Sequence, residues 1–233
     1  WNFGQFCRVV KIGLSSGLTE LSAGFTVFMF NHAILRCIGE QGIVSYTIIA
    51  YVNTMVVMSM VGIAQGIQPL ISFYYGKGQQ EACNRLLRYA VTTAVGMAGT
   101  AFLASMAGAD GMVSLFISKN LESLREYSAA VFRIFSLSFL VLGFNIVGAG
   151  YFTAIERPKE SLVISLGRGM VIMAGALAGC IALAGGRGIW WAPTVSETVC
   201  LGITLILVCR HIRRETAMTG APRGAAAPVM EES

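Results

Sequence analysis

The chain has 233 residues, of which 55% are hydrophobic and only 12% are charged. Soluble domains carry about 25% charged residues, so this composition argues against an ordinary soluble enzyme and against a disordered chain. The net charge of +5 does not indicate a nucleic-acid-binding protein, because the basic residues collect at the ends of apolar stretches. The sequence opens on Trp1 within a structured pattern, and we expect it to be a piece of a longer protein.

Six cysteines and two histidines offer little for metal chemistry. No two cysteines have the CxxC spacing of a zinc site, so neither a zinc site nor a disulfide is expected. We predict that the protein binds no metal and no organic cofactor.

Long stretches without charged residues predict membrane-spanning helices, each of which needs about 20 mostly apolar residues. Their apolar residues lie all round the helix, and the alternating pattern of a membrane β-barrel is missing from the sequence. The predicted fold class is therefore an all-α membrane protein with six transmembrane helices. The predicted spans lie near residues 12–36, 46–74, 87–108, 129–154, 161–184 and 189–210, within a region covering residues 12–212.

The distribution of Lys and Arg predicts the orientation of these spans. With the N-terminus inside, 12 of the 17 basic residues lie on the inner side and 5 on the outer side. We therefore predict a multi-pass protein of the cytoplasmic (inner) membrane with both termini in the cytoplasm. Residues 213–233 are rich in Ala, Gly and Pro and are predicted to form a disordered cytoplasmic tail.

Two glutamates fall inside predicted spans, where ionisable residues are costly and usually functional. Glu20 shares one face of the first span with Asn31, and this pair is the candidate cation-coupling site. Glu197, in the sixth span, is a secondary acidic candidate. Either glutamate could instead be held protonated by a hydrogen bond to a neighbouring helix.

The second span carries a polar face beside a proline. Gln65, Gln68 and Ser72 are candidates for lining a substrate cavity, and Pro69 is a candidate hinge because proline removes a backbone donor. A merely bent packing helix is the alternative.

Three further features have both a structural and a functional interpretation. Asn145 in the fourth span could line the cavity or bridge two helices. Arg168 is expected to extend toward the cytoplasmic surface. GxxxG pairs at Gly13/Gly17, Gly62/Gly66 and Gly175/Gly179 predict close helix packing, or a bundle that can slide or bend.

Four separated segments resemble the multidrug and toxic compound extrusion (MATE) family, and specifically its MepA-like branch. The segment VGIAQGIQPLISFYYGKGQQEACNRLLR at 61–88 is similar to the family motif that ends in a Tyr-Gly-x-Gly turn. Similar matches are IGLSSGLTELSAGFTVFMFN at 12–31, YFTAIERPKESLVISLGR at 151–168 and GIWWAPTVSETVC at 188–200. The likeness covers about residues 5–212 in register.

The resemblance implies the C-terminal half of a twelve-helix transporter built from two six-helix lobes. Residues 1–11 would then end the cytoplasmic linker from a missing N-terminal six-helix lobe. The implied function is an antiporter that exchanges H⁺ or Na⁺ for small cationic or amphipathic substrates. Glu20 matches an acidic residue implicated in cation coupling, whereas the fourth span has Asn145 where some branches carry an Asp.

Three other functions remain as alternatives at this point. A lipid-linked precursor flippase of the same superfamily would favour a more cationic cavity. A channel or a non-transporting membrane assembly subunit is a further possibility. An intramembrane enzyme is not expected, because the chain has no HExxH or GxSxG motif and no paired Asp within the spans.

Overall fold

The computed structural model describes residues 3–118 and 120–219 and is all-helical over them. The chain forms α1 (Phe3–Cys37), α2 (Glu40–Gly76) and α3 (Gln80–Phe116), followed by a bent pair, α4 (Glu122–Ser136) and α5 (Phe139–Ala154). The remaining helices are α6 (Pro158–Leu166), α7 (Ile172–Ala184) and α8 (Ala192–Thr219). A π-helical segment, Gly167–Val171, joins α6 to α7, and a 3₁₀ turn, Gly185–Trp191, joins α7 to α8.

Three stretches within the described residues are long and apolar enough to cross a bilayer: α2, α3 and the run Pro158–Arg213. The bent pair α4–α5 makes a fourth if it is counted as one span. The run Pro158–Arg213 has 56 residues and turns back on itself, because α7 packs against α8 across the 3₁₀ turn. Helix α1 contains the polar residues Glu20, Thr26 and Asn31, and it is not among the helices that are apolar enough to cross a bilayer by this criterion.

The bundle is organised around α5, which packs against α2, α3, α6 and α8. Its buried side chains include Phe139, Tyr151 and Phe152, and they meet Met60 and Ile71 of α2 within one continuous apolar core. Helix α1 lies at the edge of the bundle against α2, α6 and the π segment. Many large apolar side chains on α1, α2, α3, α7 and α8 are exposed on the outside of the bundle.

The helix boundaries differ from the predicted spans at both ends of the chain. Helix α1 begins at Phe3, so most of the predicted linker 1–11 is helical. Helix α8 continues to Thr219, so the prediction that disorder begins at residue 213 is wrong. Residues 220–233 of the predicted tail lie outside the described part of the chain.

The predicted fourth span is broken by a bend of 42° between α4 and α5. The hydroxyl of Ser136 donates to the Arg133 carbonyl at 2.8 Å, and that of Ser138 donates to the Phe135 carbonyl at 2.8 Å. Serine side chains that bond to backbone carbonyls three residues earlier compete with the helical pattern. The sequence prediction of one continuous helix missed this local competition.

The close helix approaches do not occur at the GxxxG pairs of α2 and α7. Gly62, Gly66, Gly175 and Gly179 have open space where a Cβ would lie. Instead, a Cβ on Gly188 would lie 1.9 Å from the backbone oxygen of Cys180. The 3₁₀ turn therefore folds tightly onto the end of α7, and this contact sets the hairpin between α7 and α8.

Replacing Gly188 with alanine should therefore destabilise the bundle. A Cβ there meets backbone rather than a flexible side chain, so the cost should be about 1–3 kcal/mol, as for other overpacked sites. The measurement is the thermal unfolding midpoint in detergent. Gly202→Ala is the matched control, because Gly202 has open space around it and alanine favours helix. Equal midpoints for the two variants would contradict the packing described at Gly188.

Candidate functional site

A buried polar network joins three helical segments near the centre of the bundle. Its members are Asn145 on α5, Arg168 in the π segment, and Glu197 and Thr204 on α8. Asn145 is 0% exposed and Glu197 is 8% exposed. Arg168 is ten residues beyond the start of α6, which is roughly 15 Å along a helix and hence deep in the bundle.

Glu197 accepts hydrogen bonds at both carboxylate oxygens. The Nδ2 group of Asn145 donates to Oε2 at 2.7 Å and also to the Glu197 backbone carbonyl at 2.9 Å. Arg168 donates to Oε1 at 3.2 Å. Thr204 donates to Oδ1 of Asn145 at 2.8 Å, so both ends of the amide are used.

This arrangement compensates the charge of Glu197. A buried carboxylate requires an opposite charge and hydrogen-bond donors, and Arg168 and Asn145 supply them. The prediction that Arg168 extends to the cytoplasmic surface is wrong, because its guanidinium is paired with Glu197 inside the bundle. Asn145 bridges α5 and α8, and it does not line an open cavity in this structure.

The π segment also connects this network to α1. Ser196 donates to the Arg168 carbonyl at 3.2 Å, and Thr26 of α1 donates to the Gly169 carbonyl. A Cβ on Gly169 would lie 2.4 Å from the hydroxyl oxygen of Ser22. The helix that carries Glu20 is therefore in direct contact with the segment that carries Arg168.

Glu20 itself lies apart from the network. Its side chain is exposed on the edge helix α1, and it has no hydrogen bond or ion pair to any described residue. Asn31 donates to the Val27 carbonyl of its own helix at 3.1 Å. Asn31 also lines an open groove of about 540 Å³ between α1 and α2. Glu20 and Asn31, the two predicted cation-coupling residues, thus lie on one edge helix but at different positions along its length.

The predicted cavity residues of α2 are divided between two environments. Gln65 is exposed, whereas Gln68 is half-buried and approaches Gly150 of α5. Ser72 donates to the Ala154 carbonyl at 2.8 Å and so binds α5. Helix α2 continues through Pro69 from Glu40 to Gly76, so the proline does not end the helix.

Sequence reasoning missed two members of the network, Arg168 as the partner of Glu197 and Thr204 as the partner of Asn145. The available signal was charge: a buried acidic residue in one span calls for a basic residue in another. Arg168 was the deepest basic residue of any predicted span. The pairing itself depends on the π segment, which has no pattern in the sequence.

Comparison with known proteins places these observations in a family context. A family model described as MatE matches residues 21–176. The chain is 22% identical over 201 residues to the multidrug export protein MepA of Staphylococcus haemolyticus, a match that covers 86% of this chain and 43% of that protein. The chain thus spans less than half the length of this curated relative.

Two solved structures share the fold of the described bundle. One is an outward-facing conformation of a multidrug resistance MATE family transporter of the MOP superfamily, with a TM-score of 0.82 and 19% identity. It matches 88% of this chain and 46% of that chain. An inward-facing conformation of such a transporter has a TM-score of 0.83 and 19% identity, over 90% of this chain and 48% of that one.

The pairing of Arg168 with Glu197 predicts a measurable coupling between these residues. Arg168→Gln or Glu197→Gln should each cost about 1–3 kcal/mol, because each leaves a charged partner without compensation. The double variant should recover part of that loss, with a coupling energy of roughly 0.5–3 kcal/mol. Unfolding free energies of the four proteins in detergent give this value.

The exposed pair Arg125–Glu122 is the matched control, since its atoms are also 3.2 Å apart but the Glu122 side chain is 67% exposed. Its coupling energy should be no more than about 0.5 kcal/mol. If the two pairs gave the same value, Glu197 would not be the compensated buried carboxylate described above.

Proposed function

Because the chain belongs to the MatE family, we propose that it forms one six-helix lobe of a transporter that exports small organic compounds across the cytoplasmic membrane. Its partner in this proposal is an N-terminal six-helix lobe, and substrate binds between the two. The proposed substrates are cationic or amphipathic molecules, exchanged for H⁺ or Na⁺. The protein acts as a transporter in this proposal and not as an enzyme.

The similarity to both outward-facing and inward-facing structures supports this role. The TM-scores, 0.82 and 0.83, are nearly the same for the two conformations. Alternating access in such transporters arises largely from rocking of one bundle against the other. A lobe that moves as a rigid body should match both conformations equally well.

The exposed apolar surface supports the membrane position. Large apolar side chains such as Phe28, Met55 and Leu103 are more than half exposed, which is unfavourable in water and normal against lipid or a second lobe. We assign six membrane spans: α1, α2, α3, the bent pair α4–α5, the run α6–α7 and α8. The charge distribution then orients both termini toward the cytoplasm.

The contrast between the two glutamates carries the assignment of the coupling residue. The carboxylate of Glu197 is compensated by Arg168 and Asn145, so it stabilises the packing of the lobe. Glu20 has no partner among the described residues and is exposed on α1. A carboxylate that is free of partners can bind a proton, Na⁺ or a cationic substrate in turn, which is the exchange that an antiporter requires.

Helix α1 also connects Glu20 to the rest of the lobe through side-chain contacts. Ser22 and Thr26, which lie within two helical turns of Glu20, contact Gly169 next to Arg168. A shift of α1 on ion binding would therefore act directly on the π segment. In this proposal the Arg168–Glu197 pair keeps α8 fixed to that segment while α1 moves.

The proposed orientation predicts where thiol reagents reach the protein. Cys37 is exposed at the end of α1 and should react with a membrane-impermeant maleimide added outside intact cells. The label should disappear in Cys37→Ser. In that variant a new thiol at Lys159→Cys, in the first turn of α6, should react only after permeabilisation. The reverse pattern would overturn the orientation.

Glu20→Gln should abolish ion-coupled efflux in the complete transporter while leaving membrane insertion intact. Glutamine keeps the shape and hydrogen-bonding capacity of the side chain but cannot ionise. Efflux of a cationic dye under an imposed H⁺ or Na⁺ gradient measures the effect, and the exposed Glu81→Gln serves as the control. Glu197→Gln should reduce efflux less.

If Glu20→Gln retained full efflux and Glu197→Gln lost it, the roles of the two glutamates would be exchanged. If both variants and the control transported equally, coupling would lie outside this lobe. Comparing the two gradients in the parent protein identifies the coupling ion.

A further inference from the structure

A small cavity lies where the ends of α5, α6 and α8 meet, away from the network around Glu197. It has a volume of about 120 Å³. The residues that line it are Phe152, Arg157, Glu160, Leu207, Arg210 and His211. At about 30 Å³ of liquid per water molecule, this space holds a group of about four heavy atoms.

Two residues at this cavity have donor groups without a hydrogen-bond partner among the described residues. His211 is only 2% exposed, yet neither ring nitrogen has a hydrogen-bond partner among the described residues. The nearest carboxylate oxygen, on Glu215, is 3.9 Å from Nδ1, which is too far for a hydrogen bond. Arg210 lines the cavity and makes no ion pair with any described residue.

The acidic residues beside the cavity are occupied by another cation. Arg157 lies 3.5 Å from Glu160 and 3.9 Å from Glu215, so these carboxylates compensate Arg157. Arg210 and His211 are therefore the groups left to receive a ligand. Both present N–H donors, so the ligand needs several acceptor oxygens and a negative charge, which are the properties of a phosphate group.

The position of the cavity suggests the source of that phosphate. The predicted spans end at residue 154, begin at 161 and end at 210, so the cavity lies at the level of the inner-leaflet head groups. Phe152 and Leu207 form its apolar wall on the side of the bundle. Basic pockets between transmembrane helices on the cytoplasmic side bind anionic lipid head groups.

We propose that this cavity binds the phosphodiester of an anionic phospholipid from the inner leaflet, with Arg210 and His211 as the donors. The proposal rests on the orientation given under the proposed function, but not on transport itself. The bound lipid fixes the turn between α5 and α6 to the end of α8. This region is also where the rigid lobe meets the surface of the membrane.

Aromatic packing holds the ring of His211 in place beside the cavity. The ring packs edge-on against Tyr151 and Phe152, with ring centroids 5.8 Å and 6.1 Å away.

Native mass spectrometry of the intact protein in detergent tests the proposal, with phosphatidylglycerol as the probe. Arg210→Gln should weaken binding by about tenfold or more, because it removes a charge-assisted hydrogen bond. Arg213→Gln is the matched control, since it removes the same charge from the same helix end without lining the cavity. It should weaken binding by no more than about fivefold, the effect of one basic residue near a charged surface.

His211→Phe provides a second variant that keeps the aromatic packing but removes both ring nitrogens. It should weaken binding, because the side chain can no longer donate a hydrogen bond to the phosphodiester. Weaker binding of phosphatidylcholine than of phosphatidylglycerol is also expected, since the choline group cancels the phosphate charge. Inorganic phosphate should compete only at far higher concentration.

Three results would overturn the assignment. Equal losses in Arg210→Gln and Arg213→Gln would show diffuse surface attraction without a site. Equal binding of the two lipids would exclude an anionic head group. Saturation by inorganic phosphate with no displacement by lipid would identify a soluble anion instead. The efflux of the variants is measured separately, so failure here leaves the role of Glu20 untouched.

Discussion

The requirement to compensate one buried carboxylate shapes the centre of this bundle. Glu197 lies within apolar helices, where an ion without partners would cost several kcal/mol. Arg168 and Asn145 supply the charge and the donors, and each comes from a different helical segment. The network therefore fixes α5, the π segment and α8 relative to one another. Helix α1 then packs on that fixed unit through Ser22 and Thr26.

The two glutamates of the predicted spans differ in whether their carboxylates have partners among the described residues. Glu197 contributes to the integrity of the bundle, and both of its carboxylate oxygens accept hydrogen bonds within it. Glu20 lies on the edge helix α1, outside the unit that the network fixes, and its side chain is exposed. Two glutamates that look equivalent in the sequence, each alone within an apolar stretch, thus lie in different surroundings in the bundle. Burial and pairing decide this, and neither is visible from spacing along one helix.

The sequence predicted the helical class, the order of the helices and the main polar positions, because these depend on local hydropathy and on the placement of charges. It placed Asn145 and Glu197 inside spans but could not pair them with Thr204 and Arg168. Pairing depends on how helices distant in the chain rotate and approach each other. The bend at Ser138 and the extension of α8 to Thr219 were missed for a related reason. Local hydrogen bonds of serine and the helical continuation of a polar segment carry no apolar signal.

The π segment Gly167–Val171 affects how this region must be aligned with related sequences. A π turn holds about one residue more than an α turn, so it acts as a single-residue insertion within a continuous helix. Each residue turns an α-helix by about 100°, and the insertion therefore rotates the faces of α7 relative to those of α6 by that angle. A relative with a regular α-helix here needs a gap of one residue in the alignment. Without that gap, every position of α7 would be compared with a neighbour that faces a different part of the bundle.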